Sequence, residues 1–159
     1  MLLLLLLPVA PAAAGTGDRA HPHRRGALVH VDGAFAVRVV SVDANAWRSP
    51  VLAGRGNRPP EGGRTAALVT LQATNRARSA GIPFVNGSLG AIAASGAAYS
   101  SLTASCGTVA RDVASIDVVA PGATVTVRAC WQVSTRDAGS LVLVYSPYDG
   151  SSKTYFALR

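Results

Sequence analysis

Acidic residues, histidine and cysteine are all scarce in this chain, and each shortage closes off a class of chemistry. Eight Asp and Glu stand against fifteen Lys and Arg, a formal net charge of +7 over 159 residues. Hydrolysis of glycosidic bonds needs two opposed carboxylates, whereas the carboxylates here are isolated and mostly adjoin turns. The three histidines, His21, His23 and His30, all fall at or before the first expected strand, away from any residue that a base could activate. His21-Pro22-His23 holds two imidazoles, short of a closed metal site, which takes four ligands. Two cysteines are also too few for a zinc site, and their spacing is not that of a Cys-x-x-Cys redox pair. No phosphate loop, dinucleotide fingerprint, calcium loop or zinc spacing occurs. The chain is therefore not expected to be an enzyme, and no cofactor or metal is expected.

Long apolar runs are missing as well, with one short exception. Leu2–Leu7 is an unbroken run of six leucines, followed by Pro8, Val9, Ala10, Pro11 and Ala12-Ala13-Ala14. This run is too short to span a bilayer, which takes about 20 residues. Its ending in Ala-x-Ala predicts a signal peptide over 1–14, cleaved after Ala14, although no Lys or Arg precedes the leucines. No transmembrane segment is expected after cleavage. An exported chain with one pair of cysteines is expected to join them, so Cys106 and Cys130 are read as a disulfide.

What remains is rich in alternation. In Ala123–Val133, Val125, Val127, Ala129, Trp131 and Val133 fall on one side, and Thr124, Thr126, Arg128, Cys130 and Gln132 on the other. That period of two marks a strand with one face in a core and one in water, placing Trp131 inside and Cys130 outside. Arg64–Asn75 alternates in the same way, with Ala67, Val69, Leu71 and Ala73 inward. Further strands are expected at Phe35–Val42, Leu89–Ala93, Ala97–Thr103, Ser115–Val119, Leu141–Tyr145 and Thr154–Leu158. Residues 44–63 contain Pro50, Pro59, Pro60 and four glycines, a density of breakers that excludes a regular element. Seven to eight short strands with turns between them predict an all-β, immunoglobulin-like antiparallel β-sandwich. The domain is expected to span 34–159, with 15–33 a flexible polar tail. The antibody order is Cys, Trp, Cys with a bridge through the core. Here Trp131 follows both cysteines, so the bond is expected at the rim.

Taken in order, Thr74-Asn75 at a strand end, Gly96 and Tyr99 in a hairpin, the Pro121-Gly122 turn, and Trp131 with Val133 closing a strand resemble a family of small exported domains. These immunoglobulin-like domains occur mostly in actinobacteria and firmicutes and are structurally related to the mycobacterial immunoprotective extracellular antigen. The resemblance covers about Phe35 to Leu158. It implies the fold and export, and little chemistry, because the family has no established common activity. Relatives often carry an acidic residue before the hairpin glycine, where this chain has Ala93-Ala94-Ser95.

Two functions fit these observations. One is an exported binding or interaction module of the bacterial cell envelope, secreted or envelope-associated, whose partner is a protein or an envelope polymer. The other is an Arg-mediated electrostatic binder of anionic polymers such as nucleic acid, teichoic acid or polysaccharide, although no specific nucleic-acid motif is present. Residues 1–78 hold ten Arg and four acidic groups, a net +6, against +1 for the remainder. Arginine suits phosphate and carboxylate recognition, and the same bias also follows from a GC-rich genome. The expected interaction surface is Trp47, Arg48, Arg55, Arg58 and Arg64 with the Arg76–Arg78 turn. An exposed Trp beside Arg is the make-up of a contact hot spot; the alternative is that Trp47 folds back as a lid.

Overall fold

The computed structural model describes residues 15–52 and 56–159; the expected signal peptide over 1–14 lies outside them. Eight strands form among the described residues: β1 Val29–Val31, β2 Phe35–Asp43, β3 Arg64–Asn75, β4 Gly87–Ile92, β5 Ala98–Ser100, β6 Thr124–Ser134, β7 Val142–Pro147 and β8 Thr154–Ala157. They pair antiparallel into two four-stranded sheets, ordered β1-β2-β3-β6 and β5-β4-β7-β8. With β2, β3 and β6 as strands A, B and E, and β5, β4, β7 and β8 as C′, C, F and G, this is the immunoglobulin arrangement without strand D.

The core lies between the sheets, where the alternation of β3 and β6 delivers Val69, Leu71, Val127 and Trp131 to meet Phe35, Leu143 and Phe156. Trp131 is 1% exposed. The small Ala67 faces it across the β3–β6 ladder, leaving room for the indole on the shared face.

The Thr-Asn at the end of β3 has a structural reason. Asn75 is fully buried; its Nδ2 donates to the Ser79 and Val119 carbonyls, both at 2.9 Å, and its Oδ1 accepts from the Ala77 N–H. The Gly122 N–H, in a turn where Gly122 has φ +75°, donates to the Asn75 carbonyl. One side chain thus fastens the β3–β4 connection to the turn that feeds β6. Asn75→Ala removes these three side-chain hydrogen bonds; the Val119 carbonyl keeps the Gly81 N–H, and the loss of the rest is expected to cost about 1–3 kcal/mol. Denaturant melts check this; a loss well below 1 kcal/mol would show that the two segments are held otherwise.

Three expectations are corrected. Ser115–Val119 is not a strand. Asp112 accepts from the Ala114 N–H at 2.8 Å and opens a 3₁₀ turn at Val113–Ser115, while Val119 exchanges backbone hydrogen bonds with Gly81 alone. Residues 15–33 are not a free tail: β1 pairs with β2, and Gly17 and His23 hydrogen-bond along β8 through Tyr155 and Ala157. That covers an edge which would otherwise present unpaired backbone groups. Third, Cys130 does lie on the face of β6 opposite Trp131, but that face is not in water there.

The missing strand D explains the third correction. The connection between β5 and β6 runs irregularly along the outer edge of β6, with the Arg128 N–H donating to the Arg111 carbonyl and the Gln132 N–H to Ala104. Cys106, in this connection, is bonded to Cys130. Ala46, Leu52, Ala66, Leu68 and Val109 close around the pair as a second apolar cluster on the outside of the sheet.

Candidate functional site

The 44–63 loop supplies the lid of that second cluster. One 3₁₀ turn, Ala46–Arg48, drives Ala46 and, farther on, Leu52 into the cluster. The loop is then clamped by Asn57, whose Nδ2 donates to the Leu52 and Thr108 carbonyls and whose Oδ1 accepts from the Thr108 N–H at 2.7 Å. A segment without regular structure is therefore tied down over the sheet by one amide side chain and two buried apolar ones.

Trp47 lands at the edge of this lid. It is half-buried, packed against the outer cluster and not the sandwich end. Its remaining face borders an open cleft of about 420 Å³ lined by Asn45, Arg48, Pro59, Pro60, Arg64 and Thr65. Thr65 Oγ1 is turned inward, within bonding distance of Asn45 Oδ1 at 2.9 Å. Arg48, Arg58 and Arg64 are exposed. Among the described residues no carboxylate forms an ion pair with these three guanidinium groups. Arg64 touches the chain through a long contact to the Gln132 carbonyl, 3.4 Å.

The structure brings Trp47, Arg48 and Arg64 together and separates them from Arg76 and Arg78. Arg64 opens β3, and Arg76 follows its last residue. Twelve residue steps of extended strand put the two positions roughly 40 Å apart at about 3.3 Å per residue. Arg55 lies outside the described residues. Asn45, Pro59, Pro60 and Thr65 were not expected in the site; no local sequence signal joins Pro59-Pro60 to Trp47, and only the fold of the loop brings them together.

Other polar side chains serve the fold. Tyr99 donates to Asp137 at 2.6 Å and accepts from the Ser134 N–H, clamping β5 to the β6–β7 turn; burial, then this carboxylate, raises its pKa. The His23 ring lies 5.9 Å from that of Phe156. Among the described residues no three His, Cys, Asp or Glu side chains are grouped to hold a metal, and no helix is long and apolar enough to cross a membrane.

No family model and no curated protein matches the chain. Two solved structures share its fold. One is an uncharacterized β-sandwich protein from Clostridium difficile 630, with 14% identity and a TM-score of 0.53, matched over 87% of this chain and 95% of that one. The other is a conserved hypothetical protein from Bacillus anthracis, also 14% identical, with a TM-score of 0.51, matched over 81% of this chain and 91% of that one. At that identity the likeness establishes the β-sandwich and says nothing of a ligand.

Proposed function

We propose that this chain is an exported binding module of a bacterial cell envelope, one of the small immunoglobulin-like domains it resembles, and that its contact surface is the Trp47 cleft. The observation that carries this reading is a half-buried indole between Pro59-Pro60 and the unneutralised Arg48 and Arg64. A rigid aromatic edge flanked by guanidinium groups is the composition that dominates protein contacts energetically. The buried disulfide supports export, since such bonds persist outside reducing compartments. The expected partner is an envelope protein or polymer carrying carboxylates or phosphates beside an apolar group.

Capture of envelope components on the mature chain tests it. A specific component should be retained by the wild type and lost with Trp47→Ala or with Arg48→Ala/Arg64→Ala, all three proteins remaining folded. Retention by every variant would move the contact elsewhere.

The lack of carboxylate partners for Arg48, Arg58 and Arg64 also favours a second reading, an electrostatic binder of anionic polymers. If each of the three arginines engages one phosphate, the logarithm of duplex DNA affinity should fall against that of salt with a slope of about −2.7. The same titration on Trp131→Phe protein, where Trp47 is the one indole left, should show Trp47 emission shielded from acrylamide as polymer binds. A flat salt dependence rejects the polyanion reading and leaves the protein-binding one standing.

A further inference from the structure

The opposite end of the sandwich holds a different kind of site. The 32–34 turn between β1 and β2, the residues just before β4, and the 148–153 loop between β7 and β8 converge there. They surround a cleft of about 670 Å³ lined by Asp32, Asn86, Tyr145, Tyr148, Asp149 and Ser151.

Its charge is the reverse of the molecule's. The chain carries eight acidic residues against fifteen basic ones, yet two of the eight line this cleft and, among the described residues, neither forms an ion pair. Asp32 stands in the left-handed region, φ +56°, in the tight turn that leads into β2. Asp149 is fixed by the Ser151 N–H, which donates to its Oδ1 at 2.9 Å. The Tyr148 N–H donates to the Asn86 carbonyl at 2.9 Å, while its side chain is among the most exposed aromatics, at 72%.

Tyr145 is the informative residue. Its ring belongs to the core, 2% exposed, with the Phe84 ring 6.1 Å away. Space for it depends on Gly87, where a Cβ would come within 2.5 Å of the ring. The hydroxyl emerges at the cleft, buried and close to the Asp32 carboxylate, but without a hydrogen bond of good geometry. Burial, then the nearby Asp32 carboxylate, pushes its pKa up to about 12, so it remains a neutral phenol able to donate and accept. A buried hydroxyl whose hydrogen bonding is incomplete costs free energy unless a ligand completes it.

We propose that this cleft binds a primary ammonium group, held between the Asp32 and Asp149 carboxylates and the Tyr145 hydroxyl, with the Tyr148 ring packed against its alkyl or sugar stem. The ammonium is a compact charge with three donors that radiate apart, matching acceptors that arrive from three separate parts of the chain. A guanidinium presents a planar fork suited to one bidentate carboxylate. A neutral polyol would leave both carboxylates without a counter-charge. The exposed tyrosine face adds attraction for a cation.

Calorimetric titration of the mature chain tests this with two matched pairs: n-butylammonium against n-butanol, and glucosamine against N-acetylglucosamine. Each amine should bind saturably and each neutral partner should not; the tighter amine tells whether the natural ammonium is borne by an alkyl chain or a sugar. Asp32→Asn is tolerated by the left-handed backbone, and Asp149→Asn keeps the oxygen that receives the Ser151 N–H. Both should therefore melt like the wild type while weakening amine binding by about tenfold or more, the loss of one charge-assisted hydrogen bond. Tyr145→Phe should weaken it as well. Absence of saturable amine binding, equal binding of N-acetylglucosamine, or amine binding that survives both Asn substitutions would overturn the proposal.

Discussion

Trp131→Ala should remove a large share of the domain's stability, about 3–5 kcal/mol out of a total that for domains of this kind is about 5–15 kcal/mol. The side chain is 1% exposed, at the centre of the cluster that joins both sheets, and the neighbouring ladder strands restrict how far the cavity can collapse. A loss of that size corresponds to a fall in Tm of about 10–20 °C. The indole Nε1 is buried without a hydrogen bond, so the contribution of Trp131 is packing, offset by one unsatisfied donor. Trp131→Phe therefore separates the two effects: it deletes the orphaned N–H together with part of the ring, and should cost clearly less than Ala. Denaturant melts of the two variants decide the matter. If Ala costs no more than Phe, the ring is not what holds the sheets together.

That the place of Trp131 follows from alternation alone shows which kind of information a chain of this class carries locally. The long strands were legible because β-branched alternation is a property of consecutive residues, and the phase read for β3 and β6 delivers Val69, Leu71, Val127 and Trp131 to one core. The short β1 was not legible: three residues, Val29–Val31, with an exposed His30 at their centre, leave no periodic signal, and its partner is fixed by β2. Ser115–Val119 misled because side chains outside the segment hold its two ends, Asp112 capping the 3₁₀ turn that enters it and the distant Asn75 bonding the Val119 carbonyl. The candidate site was half legible. Trp47, Arg48 and Arg64 meet because a loop folds back beside the strand it precedes, whereas Arg76 and Arg78 are carried away by the length of β3. The acidic cleft at the other end was invisible, since Asp32, Asn86 and Asp149 are far apart in sequence and only the sheet topology collects them.

The disulfide is where the fold most changes an expectation about energetics. Read as a rim staple, Cys130 should tolerate serine more readily than Trp131 tolerates alanine. In the structure Cys106 and Cys130 are 4% and 6% exposed within an apolar cluster, so Cys130→Ser both opens the bond and buries a hydroxyl with no partner assured. Opening the bond, which joins residues 24 apart, costs about 3.5 kcal/mol in unfolded-chain entropy, and the orphaned hydroxyl adds about 1–3 kcal/mol. The single substitution should thus be as damaging as Trp131→Ala. The double variant Cys106→Ala/Cys130→Ala avoids the polar group, and its smaller loss isolates the cross-link. The damage should also be local at first. The bond fastens the connection that covers the edge of β6, so reduction should raise hydrogen exchange at the Arg128 and Gln132 amides, whose acceptors are Arg111 and Ala104. The Val69 and Leu71 amides, in the central strand of the sheet, should stay protected. Identical melting of reduced and oxidised protein, with unchanged exchange at Gln132, would show that the outer cluster holds that edge without the bond.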